Sequence, residues 1–419
     1  MTSRSKRKEI ITRSLLLALF TIPLPLFYGI YLTRYKGTPV PDTAWISWYD
    51  DPRHEVYVAW ETNANTTGTV HFGTDPLNLV NSSVESMAVK FHVVNLTGLA
   101  PDTKYYYRID QDGTTYTTGE FRTAPASQPE FTFGLFADTQ QKVGPGWHGH
   151  TAKEIANRNY SFVAMVGDFV EDGEKFEWND FFTKASTYLD TIPIVPVRGN
   201  HDKPRDLDDD GIDEYYFGNY FPQTVDSISG LNPHDTGEQF YFSFNWSSVH
   251  VQVLHFPEID IDDFGEPGGL NPGDYNRSFT ADQLAWLEAD LTNAAAMPFR
   301  ITLFHCPITG AGFYGPNYVL KEELLPILQS YNVTAVVSGH AHHYERGTLV
   351  NQTFPENPLT YFVVGCGGGL TDIGLRPVPE TDVALASPCF TEVTANATYL
   401  EFTTYGFEGT VLDKFSVGA

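Results

Sequence analysis

Basic residues are scarce in this chain and unevenly spread. Its 419 residues include 26 lysines and arginines against 52 aspartates and glutamates, a formal net charge of −26. Five of the basic residues (Arg4, Lys6, Arg7, Lys8 and Arg13) precede Ser14, so residues 14–419 hold 21 basic against 51 acidic residues, or −30. Such a surface repels nucleic acid and anionic lipid, and no nucleic-acid partner is expected. An acidic protein that handles phosphate needs local positive charge, which metal ions supply. Cysteine is rare too. Cys306, Cys366 and Cys389 make no disulfide framework; Cys366 and Cys389 can pair in an oxidising compartment, while Cys306 reads as a buried filler of an apolar strand. No internal repeat or low-complexity segment is present. Apolar residues at 42% and aromatics at 14% exclude a disordered chain, and the length implies two or three domains.

One long uncharged run is present. After the basic segment 1–13, residues 14–33 carry no charge for twenty positions, which at about 1.5 Å per residue covers roughly 30 Å, a membrane-spanning length. The basic excess before it sets the N-terminus in the cytoplasm and everything after it outside. A cleaved signal peptide is the alternative, but no small-x-small cleavage site follows the run, so it reads as a retained single-pass anchor at the cell membrane. Asn-x-Ser/Thr sequons at Asn65, Asn81, Asn95, Asn159, Asn245, Asn276, Asn332, Asn351 and Asn396 agree with an extracellular, glycosylated chain.

After a spacer at 34–42, residues 43–125 read as short strands with period-two alternation separated by turn residues, a small β-sandwich. The run Leu99-Ala-Pro101-Asp-Thr103-Lys-Tyr105, with Trp60 on an earlier strand, resembles a fibronectin type III domain. Over 130–419 apolar strands alternate with helical stretches near 151–158, 178–189, 280–291 and 319–331. Several of these strands end in polar residues, which fits strands buried between helix layers with the chemistry at their C-terminal ends.

Five strand ends present side chains that bind metals: Asp138, Asp168, Asn200, His305, and the pair His340 and His342. Carboxylates, imidazoles and an amide oxygen together suit Fe, Mn or Zn better than the all-oxygen shell of calcium or the thiolate shell of structural zinc. Asp168 is the candidate bridge, and alternation puts His340 and His342 on one side of an extended segment.

The segments ADTQ (137–140), GDFVED (167–172), GNHD (199–202), FHCP (304–307) and GHAHHYER (339–346) resemble the calcineurin-like metallophosphoesterases, and among them the purple acid phosphatases. The resemblance implies a four-layer α/β/β/α catalytic domain behind the sandwich. It implies a first metal on Asp138, Asp168 and His342 and a second on Asp168, Asn200, His305 and His340. It further implies phosphoester hydrolysis by a hydroxide generated between the metals, with His201 as general acid and Asp202 orienting it. Phosphomonoesters are the leading substrate; phosphodiesters, or a surface binding protein that keeps the metal fold, are the alternatives. Two positions depart from the pattern. Glu171 stands where purple acid phosphatases carry a tyrosine, so a colourless or weakly coloured site is expected. Gln140 replaces a histidine and is expected either to ligate the first metal or to hydrogen-bond beside it.

Further candidates lie nearby. His148 and His150 in the loop after the first metal strand are candidates to touch substrate or metal, the alternative being exposed loop histidines, and His343 beside the ligand pair is a candidate to face substrate. Asp206, Asp208, Asp210 and Asp213 in DLDDDGIDE (206–214) have calcium-loop spacing but no glutamate at position twelve, so the loop is either a calcium site or a solvated acidic turn. Arg346 is expected to pair with a carboxylate. The oligomeric state is open.

Overall fold

In the computed structural model of the chain, the described residues are 43–140, 146–202, 216–221, 240–255, 279–406 and 409–419. Among them, strands β1 to β7, from Ala44–Ser47 through Glu55–Thr66, Gly68–Gly73, Asn81–Val84, Val89–Thr97 and Lys104–Gln111 to Thr114–Arg122, form two antiparallel sheets in the orders β1-β2-β5 and β4-β3-β6-β7. Their inward residues, Ile46, Val58, Trp60, Val70, Leu96, Tyr107 and Phe121, close one core. The period-two pattern of the sequence makes this sandwich, because alternate side chains of an extended strand share a face.

The larger part of the chain, from Phe131 on, is built from two sheets packed face to face. One has the order β10-β9-β8-β18-β19-β20 (β8 Phe131–Phe136, β9 Val163–Val166, β10 Ile194–Val197, β18 Cys389–Ala395, β19 Tyr399–Gly406, β20 Val411–Gly418). The other has the order β11-β12-β13-β14-β16-β15-β17 (β11 Phe242–Trp246, β12 Val249–Val253, β13 Phe299–Leu303, β14 Ala335–Ser338, β15 Tyr344–Leu349, β16 Leu359–Val364, β17 Thr381–Leu385). Strands β8, β9 and β10 run parallel, as do β12, β13, β14 and β16. Strands β9, β10 and β14 are buried throughout, as their continuous apolar sequences require of strands covered on both faces. Pro196 is tolerated in β10 because that strand is a sheet edge.

Phe133, Leu135, Val166 and Val197 from one sheet meet Val251, Leu303, Val337 and Phe362 from the other in a common core. Helices α1 (His148–Ala156), α2 (Lys175–Ala185) and α3 (Tyr216–Tyr220) share a second cluster with the outer face of the first sheet. Helices α4 (Ala281–Asn293) and α5 (Tyr318–Ser330) do the same for the second sheet. The order of layers is therefore helix, sheet, sheet, helix. The helix starts are fixed locally: Thr280 accepts from the Gln283 N–H, and Asn317 accepts from the Leu320 N–H.

The described residues belong to one compact unit, and β1 shows how the sandwich joins the two larger sheets and their helices. Ala44 and Ile46 face the sandwich core, whereas Trp45 faces the α2 side with its ring 4.4 Å from that of Phe182. Trp48, fully buried just past the strand, packs on Phe162, Phe244 and Trp246 of the core between the two larger sheets. Glu61 of β2 completes the junction, accepting from Lys175 Nζ at 2.6 Å and from the Tyr220 hydroxyl at 2.9 Å.

Among the described residues no helix is long and apolar enough to cross a membrane. The anchor at 14–33, the spacer 34–42, the sequon Asn276 and the acidic loop with Asp206, Asp208, Asp210 and Asp213 lie outside the described residues. Of the remaining sequons, Asn65, Asn81, Asn159, Asn245 and Asn332 are exposed, and Asn95, Asn351 and Asn396 are half-buried. Cys366 and Cys389 are disulfide-bonded, and Cys306 is a buried free thiol.

Candidate metal centre

The residues that follow β8, β9, β10, β13 and β14 converge at the C-terminal ends of these parallel strands. Three of them, Asp138 (φ 58°), Asp168 (φ 56°) and His340 (φ 68°), hold left-handed backbone conformations that side chains rarely adopt. Strain of this kind persists only where the surroundings enforce it. Here the enforcement comes from backbone bonds between the strand ends: Asp138 N–H to the Gly167 carbonyl (3.0 Å), Thr139 N–H to that of Asp168 (3.0 Å) and Gly339 N–H to that of His305 (2.9 Å). Gly167 (φ 90°) and Gly199 are required by close approach, since a Cβ would strike the His305 ring at the first and the Asp168 carboxylate at the second.

Two groups of side chains meet there. Asp168, His305 and His340 place one ligand atom each within 4.8 Å of one another, and so do Asp138, Asp168 and His342. Asp168 is common to both. Asn200 Oδ1 joins the first group, 2.8 Å from His340 Nδ1 and 3.2 Å from His305 Nε2. The carboxamide of Gln140 joins the second, its Nε2 lying 3.0 Å from both Asp168 Oδ2 and His342 Nε2. His305 donates from Nδ1 to the Val166 carbonyl (2.8 Å) and His342 donates from Nδ1 to the Leu370 carbonyl (2.8 Å). Both rings thereby turn Nε2 inward, the arrangement that fixes a metal-ligating histidine.

The electrostatics fit cations. Asp138 and Asp168 are fully buried, and only His342 of the group is partly open to solvent. Burial opposes ionisation of Asp168, but the surrounding His305, His201 and His340 hold its carboxyl below the usual range. Burial likewise opposes charging of His305 and His342, yet Asp168 pushes the first up to about 10 and Asp138 pushes the second up to about 9. His340 is held well below its ordinary value by burial and by the charge of His305. Two buried carboxylates thus draw positive charge onto neighbouring imidazoles at the positions a cation would take. Asp138 Oδ1 and Gln140 Oε1 are buried without a hydrogen-bond partner, and both are oxygen donors of the kind that hold a cation.

Other expected site residues lie elsewhere or do something else. Asp202 does not orient His201. Its buried carboxylate accepts the backbone N–H groups of Asp168 (3.0 Å), Phe169 (2.8 Å) and Gly199 (2.9 Å), while burial and the Asp168 charge push it up to about 7. His201 is oriented instead by the Glu171 carbonyl, 2.5 Å from Nδ1, which leaves Nε2 facing Asp168 Oδ2 at 3.9 Å.

His148 and His150 belong to α1 rather than to a loop. His148 is buried with its ring 4.9 Å from that of Phe181, because the helix turns it into the apolar layer, and His150 lies exposed beside Trp147. His343 is fully buried between Glu345 and Asp372, so it cannot face substrate. Arg346 does pair with carboxylates, those of Asp413 and Asp382.

The sequence reading missed the loop 365–372. Its signal was the run Gly365-Cys-Gly-Gly-Gly369, which marks close backbone approach. Gly367 N–H bonds the Ala137 carbonyl and Gly369 N–H bonds that of Asp138, so this loop backs the first metal-ligand strand.

Comparison with known proteins agrees with this geometry. Residues 41–123 match the purple acid phosphatase N-terminal domain. An uncharacterized protein of Mycobacterium tuberculosis is 27% identical over 329 residues, 70% of this chain and 59% of the relative. Purple acid phosphatase 18 of Arabidopsis thaliana is 28% identical over 383 residues, 84% of this chain and 77% of the relative. The chain thus spans 59% of the length of the mycobacterial relative. In fold it is similar to the purple acid phosphatase PPD1 from yellow lupin seeds (TM-score 0.70, 17% identity, 90% of this chain and 74% of that one) and to PhoD (TM-score 0.66, 13% identity, 91% and 89%). Residues 131–344, the stretch that holds every converging ligand described above, match the calcineurin-like phosphoesterase family, and the chain belongs to that family.

Proposed function

We propose that the chain is a metal-dependent phosphoesterase acting on phosphomonoesters, with Asp138, Asp168, His342 and the Gln140 amide holding one cation and Asp168, Asn200, His305 and His340 a second. The observation that carries this reading is the position of Asp168, buried and shared by the two ligand groups. When bound, two cations supply the positive charge that acidifies water and neutralises phosphoryl oxygens, a service that the net charge of −26 denies the rest of the surface.

The chain's own residues do the remainder. Asp202 fixes the turn that presents Asp168. His201, aligned by the Glu171 carbonyl, delivers a proton from Nε2 to the departing ester oxygen. With Glu171 in place of a tyrosine, Fe is expected to give no tyrosinate colour, and Mn or Zn fits the same donors. A single-pass, extracellular setting is supported by the uncharged run 14–33 and by the exposed sequons. A calcium ion on Asp206, Asp208, Asp210 and Asp213 is supported by the sequence spacing of the acidic loop alone.

The test is hydrolysis of p-nitrophenyl phosphate and bis-p-nitrophenyl phosphate by the purified ectodomain, with metal content measured on the same sample. We expect two metals per chain, faster turnover of the monoester, and loss of both metals and of activity on the order of a thousandfold in Asp168→Asn. Full activity in that variant sinks the shared-ligand assignment. No turnover of either ester with two metals bound supports a binding protein instead.

A further inference from the structure

The hydrogen bonds of Gly369, Leu370 and Asp372 go to Asp138 and His342, ligands of only one of the two groups. Gly369 N–H donates to the Asp138 carbonyl (2.7 Å), and the Leu370 carbonyl accepts from His342 Nδ1 (2.8 Å). Asp372 then clamps the backbone of His342 from both sides. Its Oδ2 accepts the His342 N–H at 3.1 Å, and its own N–H donates to the His342 carbonyl at 2.8 Å.

Asp372 is itself held from behind. His343 Nδ1 lies 3.5 Å from the same Oδ2, and His343 Nε2 is 2.9 Å from Glu345 Oε2. The Glu345 carboxylate is fully buried and saturated with donors: Ala311 N–H (2.5 Å), the Tyr361 hydroxyl (2.6 Å) and the Thr381 hydroxyl (2.7 Å), besides His343. A buried carboxylate and imidazole that touch no substrate need a reason for their desolvation. The reason on hand is the line of contacts Glu345 to His343 to Asp372 to His342, which joins β15, β16 and the residue opening β17 to a single candidate metal ligand.

We propose that Asp372, braced by His343 and Glu345, is a positioning residue that holds His342 in its ligating geometry, so that it tunes the affinity of the Asp138–Asp168–His342 site and leaves the Asn200–His305–His340 site alone. The proposal rests on the two-cation reading above. A ligand held in place before the ion arrives loses less freedom on binding, and partners of this kind typically set metal affinity by about 10- to 100-fold.

The test is titration of the metal-free chain with Co²⁺, followed by calorimetry and by the visible absorption that reports cobalt coordination. Wild type is expected to take up two ions. Asp372→Ala should weaken one step by about 10- to 100-fold with the other unchanged, and His343→Gln should weaken the same step by less. Asp372→Asn keeps an oxygen for the His342 N–H and should restore binding close to wild type. Equal weakening of both steps, or no weakening in Asp372→Ala with its urea midpoint unchanged, overturns the proposal. Uptake of fewer than two ions by wild type refutes the two-cation reading and this inference with it. Should Asp372→Ala fail to fold, His343→Gln and Asp372→Asn decide by the same readout.

Discussion

The carboxylate of Asp202 lies beneath the backbone of Asp168, accepting its N–H at 3.0 Å and the Phe169 and Gly199 N–H groups at 2.8 and 2.9 Å. One buried side chain thus holds the turn in which Asp168 adopts φ 56°. Each buried N–H deprived of its acceptor costs about 1–3 kcal/mol. Asp202→Ala is therefore expected to destabilise the chain by on the order of 3–5 kcal/mol and to reduce metal retention. Urea unfolding measures the first and metal analysis the second; a variant as stable as wild type contradicts the role.

His201 makes a different claim, because its assigned work is proton delivery. His201→Ala should slow hydrolysis of alkyl phosphates, whose leaving oxygen needs a proton, by about 10²- to 10⁴-fold. Hydrolysis of p-nitrophenyl phosphate, which leaves as a stable phenolate, should suffer far less. Equal losses on the two substrates would reduce His201 to a structural residue.

The sandwich is tied to the α2 and α3 layer by Lys175, whose Nζ reaches Glu61, Asn179 and Tyr220 at 2.6, 2.5 and 2.8 Å. Burial lowers the Lys175 pKa, with Glu61 working against it. Lys175→Met strands the Glu61 charge in a buried site and should cost about 2–4 kcal/mol, discounted because the lysine is partly exposed. Adding Glu61→Gln should recover part of that loss. A double variant less stable than the sum of the singles rules out the pairing, and denaturation of all three chains decides it.

Asp290 gives the pH dependence. It accepts from Ser243 Oγ, His250 Nε2 and Gln252 Nε2 at 2.6, 2.7 and 3.1 Å. Burial opposes its ionisation, yet the bond and charge of His250, with the other donors, hold its carboxyl below the usual range. A lowered carboxyl contributes stability above its unfolded pKa of about 3.9, and that stability is lost as pH falls through the folded value. Asp290→Asn should thus lose about 1–3 kcal/mol near neutrality, with the gap to wild type closing below about pH 4. A gap that stays constant from pH 7 to pH 3 contradicts the assignment.

The sequence by itself determined the strands and the ligand types. Continuous apolar runs such as VAMV and AVVS fit strands covered on both faces, and a polar residue just past each run marks the edge where chemistry gathers, so Asp138, Asp168, Asn200, His305, His340 and His342 were legible. Period-two alternation did the same for the sandwich.

Only the tertiary structure decided what stands behind those ligands. Asp202 follows His201 in the chain, yet its carboxylate serves the backbone of a strand end more than thirty residues away, because the turn of residues 199–202 folds onto that of 167–169. His343 follows His342 in the chain yet is fully buried against Glu345 and Asp372; residues 340–343 form bends, with His340 at φ 68°, and not the extended segment that simple alternation assumes. Asp372, Glu345 and the Leu370 carbonyl carry no local pattern that distinguishes them. Their partners come from distant segments, and such contacts exist only once the sheets have packed.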